Sequence, residues 1–99
     1  MGYKGGFLTQ NLSALTLGSA TLTPTFDPNV TSYSANITDE TTTLTATAES
    51  SGATVVTKLN GVAFTGSTVT WTENTDTLTI EVTAGGYTKT YTVTVTHTV

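Results

Sequence analysis

The segment Leu78–Val95, read LTIEVTAGGYTKTYTVTV, constrains this chain more than any other stretch. Leu78, Ile80 and Val82 alternate with threonine and glutamate, and beyond Gly85-Gly86 the residues Tyr91, Val93 and Val95 alternate with threonine again. Successive side chains of a strand point to opposite faces, so strict period-two alternation marks a strand that is buried on one face only. Two such runs joined by a Gly-Gly turn predict an antiparallel hairpin. Its apolar face needs a cover, and the rest of the chain has to supply it.

The remaining sequence is suited to that task. More than a quarter of its residues are threonine, which is β-branched, loses little in a strand, and carries a hydroxyl that suits a solvated face. Runs of Ala, Glu, Lys and Leu that favour helix are missing, so the chain reads as all-β. Its 99 residues make one domain with a single core. There is no cysteine, which leaves neither a disulfide nor a thiolate metal site to hold the fold. Charged residues are only 10% of the chain and the net charge is −4. Lys4, Lys58 and Lys89 are scattered and there is no arginine, so no basic patch exists for the phosphate contacts on which nucleic-acid binding depends. No apolar run approaches the roughly 20 residues of a membrane helix, and no membrane insertion is expected. Met1–Gln10 also lacks the apolar stretch of a signal peptide.

In chain order, residues 1–10 (MGYKGGFLTQ) have no period and read as a flexible leader or linker, with the sandwich domain occupying 11–99. Tyr3 and Phe7 in this leader read as incidental. Leu15 and Leu17 alternate in a first strand, and Gly18-Ser19 ends it. Pro24 and Pro28 cannot donate ladder bonds, so Leu22–Asn29 reads as loop or edge, plugged to the core by Phe26. Tyr33, Ala35 and Ile37 mark a second strand, and Leu44, Ala46 and Ala48 a third. Val55 to Leu59 is a fourth. Asn60-Gly61 then signals a tight turn in which both central residues take positive φ. A fifth strand runs through Val69 and Trp71. Glu73-Asn74-Thr75-Asp76 reads as a turn into the final hairpin.

About seven short antiparallel strands separated by turns predict a two-sheet sandwich of immunoglobulin-like, Greek-key type. The predicted core is Phe26, Tyr33, Leu44, Trp71, Leu78, Ile80, Val82, Tyr91, Val93 and Val95.

Several stretches, in order, resemble one family. They are LSALTLGSATL, LTPTFDPNVTSYSANI, TTLTATAES, Asn60-Gly61 and LTIEVTAGGYTKTYTVTVT. Together they span Leu12 to Thr96 and are similar to the cadherin-like β-sandwich domain of bacterial surface proteins, also found on phage tail and capsid proteins. The resemblance implies an immunoglobulin-like sandwich, often one of several in tandem, that serves as a spacer or binding module. It implies no cofactor. Asp27, Asp39, Glu40 and Asp76 are scattered and form none of the clustered acidic motifs with which cadherins bind calcium.

No residue set reads as catalytic, cofactor-binding or metal-binding. His97, the only histidine, lacks a motif-marked nucleophile and companions for zinc. It reads as an exposed strand-end residue. The acids read as solvated turn residues. A weak calcium site would require the Asp27-Pro28-Asn29 and Asp39-Glu40 turns to share one end of the sandwich. Trp71 reads as core rather than as a sugar-stacking ring, while Tyr3, Phe64 and Tyr87 are the aromatics suited to exposure. The threonine rows could bind ice or carry O-linked sugars, but their simplest reading is a solvated strand face. Asn11, Asn29 and Asn36 match the N-glycosylation pattern, as chance matches in a threonine-rich chain.

These readings predict a non-catalytic structural or adhesive module of a larger bacterial extracellular or phage structural protein. Its partners are neighbouring domains of the same polypeptide, with cell-surface glycans or proteins beyond them. The competing expectation is a carbohydrate-binding module of a secreted hydrolase or adhesin, which needs coplanar exposed aromatics. The spacer reading predicts chain ends at opposite ends of the sandwich.

Overall fold

The computed structural model describes residues 9–72 and 74–98. They form eight strands: β1 (Leu12–Leu17), β2 (Ser32–Ile37), β3 (Thr41–Ala48), β4 (Thr54–Leu59), β5 (Val62–Phe64), β6 (Thr68–Thr70), β7 (Thr75–Ala84) and β8 (Tyr87–His97). A sheet ordered β1-β3-β6 packs over a second ordered β2-β8-β7-β4-β5. The sequence predicts about seven strands. The additional one is β5, three residues long, which the Asn60-Gly61 turn folds back onto β4 with Leu59 opposite Val62. Asn60 (φ 52°) and Gly61 (φ 86°) both take the positive φ that this turn requires.

The β7–β8 hairpin lies at the centre of the larger sheet, paired in continuous register from Thr75↔Thr96 to Ala84↔Tyr87. Its inward residues Leu78, Ile80, Val82, Tyr91, Val93 and Val95 are fully buried. Leu12, Leu15, Leu17, Leu44, Val69 and Trp71 from the smaller sheet close over them. The outward positions are threonine pairs, among them Thr77↔Thr94 and Thr79↔Thr92. A Lys58–Glu81 ion pair of 3.1 Å crosses from β4 to β7 on the same face.

Two features depart from the expected pattern. One pair, β2 with β8, is parallel, with Tyr33 opposite Val93 and Ile37 opposite His97. Parallel neighbours need a long connection, and here the chain crosses between sheets through the five intervening strands β3 to β7. Phe26, expected in the core, is half-buried. It sits on the β1–β2 loop at the rim, 5.9 Å from the Tyr33 ring and 6.4 Å from that of Tyr91.

Gly18 ends β1 at φ 58°, and a Cβ there would lie 2.7 Å from Thr42 Cγ2. Thr42 cannot rotate away freely, because its hydroxyl accepts the Trp71 indole N–H at 3.0 Å. The glycine therefore answers both a left-handed backbone and a close approach.

Candidate functional site

Asp76 is where the structure differs most from the sequence reading. The segment read as a turn enters β7 at Thr75, and Asp76 is 0% exposed. The period-two phase of Leu78, Ile80 and Val82, extended upstream, turns Asp76 inward. Its Oδ1 accepts the Asn60 side-chain N–H at 2.6 Å and the Thr72 hydroxyl at 3.3 Å, and its Oδ2 accepts the Thr72 backbone N–H at 3.2 Å. Asn60 in turn accepts the Thr77 N–H at 2.9 Å. Hydrogen bonds of this kind are what permit a carboxylate to be buried. The cluster ties the β4–β5 turn to the β6–β7 connection, and its role is structural.

His97 follows the same logic. It was expected to be exposed, but it continues the inward phase of Tyr91, Val93 and Val95 and is half-buried. Its Nε2 is buried and has no hydrogen-bond partner among the described residues. No three of His, Asp and Glu come together among those residues to hold a metal ion.

The two acidic turns considered for calcium lie at opposite ends. Asp27-Pro28-Asn29 is at the end bearing the Gly85-Gly86 turn, where the Pro28 carbonyl meets Lys89 and Tyr91. Asp39-Glu40 follows β2 at the other end, where the Glu40 carbonyl accepts the Trp71 N–H. A shared site is therefore ruled out by the run of β2 between them.

A polar cluster closes the upper end around Tyr91 and Lys89. The Tyr91 hydroxyl donates to the Pro28 carbonyl at 2.6 Å and accepts the buried Leu12 N–H at 3.1 Å. Lys89 Nζ donates to Asn11 Oδ1 at 2.7 Å and to the Pro28 carbonyl at 2.8 Å, and lies 5.2 Å from the Tyr91 ring centroid. Tyr33 holds the adjoining turn, donating its hydroxyl to the Asp27 carbonyl and accepting the Asp27 N–H. These neutral partners take two of the three ammonium donors and fasten the start of β1 and the β1–β2 loop to β8. Asn11, one of the three glycosylation-pattern asparagines, is thus engaged inside this cluster.

The aromatics sort as follows. Trp71 is buried at 6% exposure, as expected for a core residue. Phe64, expected on the surface, is half-buried, because β5 turns it inward opposite Thr57. Tyr87 is 73% exposed, and Tyr3 lies outside the described residues. The described rings therefore do not form a coplanar platform.

The side opposite β1 is open. The smaller sheet stops at β6, while the larger continues to β5. Val62 faces inward like its partner Leu59, yet is 70% exposed, with no strand of the smaller sheet opposite β5 among the described residues. Two hollows straddle Phe64: one of about 520 Å³ runs along Leu44, Val55 and Ser67, the other of about 500 Å³ along Leu59, Val62 and Val69.

The chain is thus an all-β, two-sheet sandwich whose buried polar groups tie its turns to its strands. Over residues 12–98 its sequence matches the family described as the cadherin-like beta sandwich domain, and the chain belongs to that family. Comparison with curated proteins gave no match. No helix among the described residues is long and apolar enough to cross a membrane.

Proposed function

We propose that this chain is a non-catalytic, immunoglobulin-like spacer or presentation module of a larger bacterial extracellular or phage structural protein. Family membership supports the module; the placement of the chain ends carries the spacer role. Thr9 donates to Ser50 Oγ, and the Gln10 side chain donates to the Ala84 carbonyl, beside the Gly85-Gly86 turn. At the other end Thr98 donates to the Ile37 carbonyl, just past His97. Between them β8 runs 11 residues, or about 35 Å at the usual strand rise. Force or reach applied to the two ends is transmitted along β8 and through its ladders to β2 and β7. The partners of such a module are the neighbouring domains of its own polypeptide and, through them, cell-surface glycans or proteins.

The test is small-angle scattering from a chain carrying two copies joined end to end. A spacer gives a maximum dimension close to twice that of one copy. Two copies folded side by side, with little added length, would remove the spacer role.

A further inference from the structure

The Asn60-Gly61 turn carries a chemistry that its structural role does not use. Of the five asparagines in the chain only Asn60 precedes glycine. Glycine has no side chain to shield its backbone nitrogen, and a Cβ at Gly61 would meet nothing within 4 Å. That nitrogen is the nucleophile that attacks an asparagine amide carbon next to it. Both residues of the turn are exposed, so water reaches them. Three hydrogen bonds hold the reaction off. The Asn60 backbone N–H donates to the Thr77 carbonyl at 2.8 Å. The Thr77 N–H donates to Asn60 Oδ1 at 2.9 Å, and Asn60 Nδ2 donates to the buried Asp76 Oδ1 at 2.6 Å. Both ends of the side-chain amide are thus fixed to β7. The turn type adds a further restraint. Its first central residue has ψ of about +30°, which directs the Gly61 nitrogen away from the Asn60 side chain. Closing a five-membered ring requires that backbone bond to rotate and the amide to leave Asp76 and Thr77.

We infer that Asn60 is a self-modification site gated by its clasp on β7. When the turn opens, the Gly61 nitrogen bonds to Asn60 Cγ, its proton passes to the departing side-chain nitrogen, and ammonia leaves a succinimide behind. Water then adds to either carbonyl of the ring, giving aspartate or isoaspartate at that position. The sequence consumes one water and releases one ammonia, with no change of oxidation state. It is one-way, and neither product restores the clasp. Aspartate still accepts the Thr77 N–H, but it has lost the donor and sets a second carboxylate against Asp76, where the amide lay at 2.6 Å. Like charges so close oppose each other's ionisation. Isoaspartate lengthens the main chain by one carbon and disturbs the pairing of Leu59 with Val62 across the turn. Either product uncouples the β4–β5 turn from the β6–β7 connection, so the open side of the sandwich carries a latch that time releases.

The test follows conversion at Asn60 by peptide mass spectrometry with isoaspartate detection, at neutral pH. The folded domain should convert about tenfold or more slowly than the same chain in urea, because the reaction waits for local opening. Equal rates would overturn the gate. Asp76→Ala removes one charge-assisted hydrogen bond from the amide and should speed conversion about tenfold. Leu12→Ala is the control: it weakens the core as a whole from β1, on the opposite side, and should speed conversion far less. Equal acceleration by both would tie the reaction to global unfolding and overturn the local gate. Slower conversion in Asp76→Ala would overturn it too, since Asp76 would then assist the departure of ammonia. Asn60→Asp reproduces one product. Aspartate tolerates positive φ better than alanine does, yet Asn60→Asp should lower the urea midpoint at neutral pH more than Asn60→Ala, with amide shifts at Thr72 and Thr77. A midpoint equal to that of the unchanged protein would show that modification releases nothing.

Discussion

On the β1–β2 side of the sandwich, the rim is closed by hydrogen bonds: Tyr91 and Lys89 converge on the Pro28 carbonyl, and Tyr33 clasps Asp27 from both its N–H and its carbonyl. On the β5–β6 side, β6 is only three residues long and is moored by the inward side chains of Val69 and Trp71, with Val62 left uncovered. The first side is fastened by polar groups at its margin and the second by apolar groups behind it. Burial is non-directional, so it can anchor a short strand without fixing what lies beyond its edge. Hydrogen bonds are directional and use up the groups that make them. That is why the first rim is closed and the second is left open beside Val62.

The comparison breaks first at Trp71. Trp71→Ala removes the larger of the two anchors and should cost about 3–5 kcal/mol in denaturant unfolding. Native-state hydrogen exchange should show the β6 amides losing protection before those of β8. Equal loss across both sides would show that β6 is not moored separately. Trp71→Phe, which keeps a ring but drops the indole N–H to Thr42, should lose clearly less.

Asp76 lies between the two regimes, a polar group buried where the open side meets the lower end. Asp76→Ala leaves the Asn60 and Thr72 donors without their acceptor and should cost about 2–3 kcal/mol. If the β4–β5 turn is held through this carboxylate, the Asn60 and Gly61 amides should shift more than any in β1. Unmoved turn amides would mean that the positive-φ backbone holds the turn by itself.

Tyr91→Phe probes the closed rim. The Pro28 carbonyl keeps Lys89 as donor, but the buried Leu12 N–H loses its acceptor. A loss of about 1–2 kcal/mol is expected, with exchange quickened at the start of β1 and not at β6. A loss that appears on both sides would erase the distinction between them.

How far the sequence disclosed this arrangement follows from which interactions leave a local trace. Alternation reveals a strand and its buried face directly, and Leu78 to Val95 has the register that pattern implies. The Asn60-Gly61 pair has the dihedrals its turn type demands. For Asp76 and His97 residue type points to the surface and strand phase points inward, and phase prevails: both continue the inward period of their strands. The parallel pairing of β2 with β8 and the convergence of Asn11, Pro28 and Lys89 join segments 60 or more residues apart. No local period encodes such pairings. The open side is a mismatch between sheets of three and five strands, which appears only when the sheets are stacked.

The smallest effect sharpens the comparison most. Val62 has the apolar character and inward direction of a core residue but 70% exposure. Val62→Thr keeps the β-branch and exchanges a methyl for a hydroxyl that water can reach. In the isolated domain it should change stability by less than about 0.5 kcal/mol. The same exchange at Val69, buried under the sheet, should cost several times more, since its hydroxyl would have no partner there. Urea midpoints for the two variants provide the contrast. If Val62→Thr proves as damaging as Val69→Thr, the overhang of β5 is already covered in solution, and the two sides of the sandwich are closed alike.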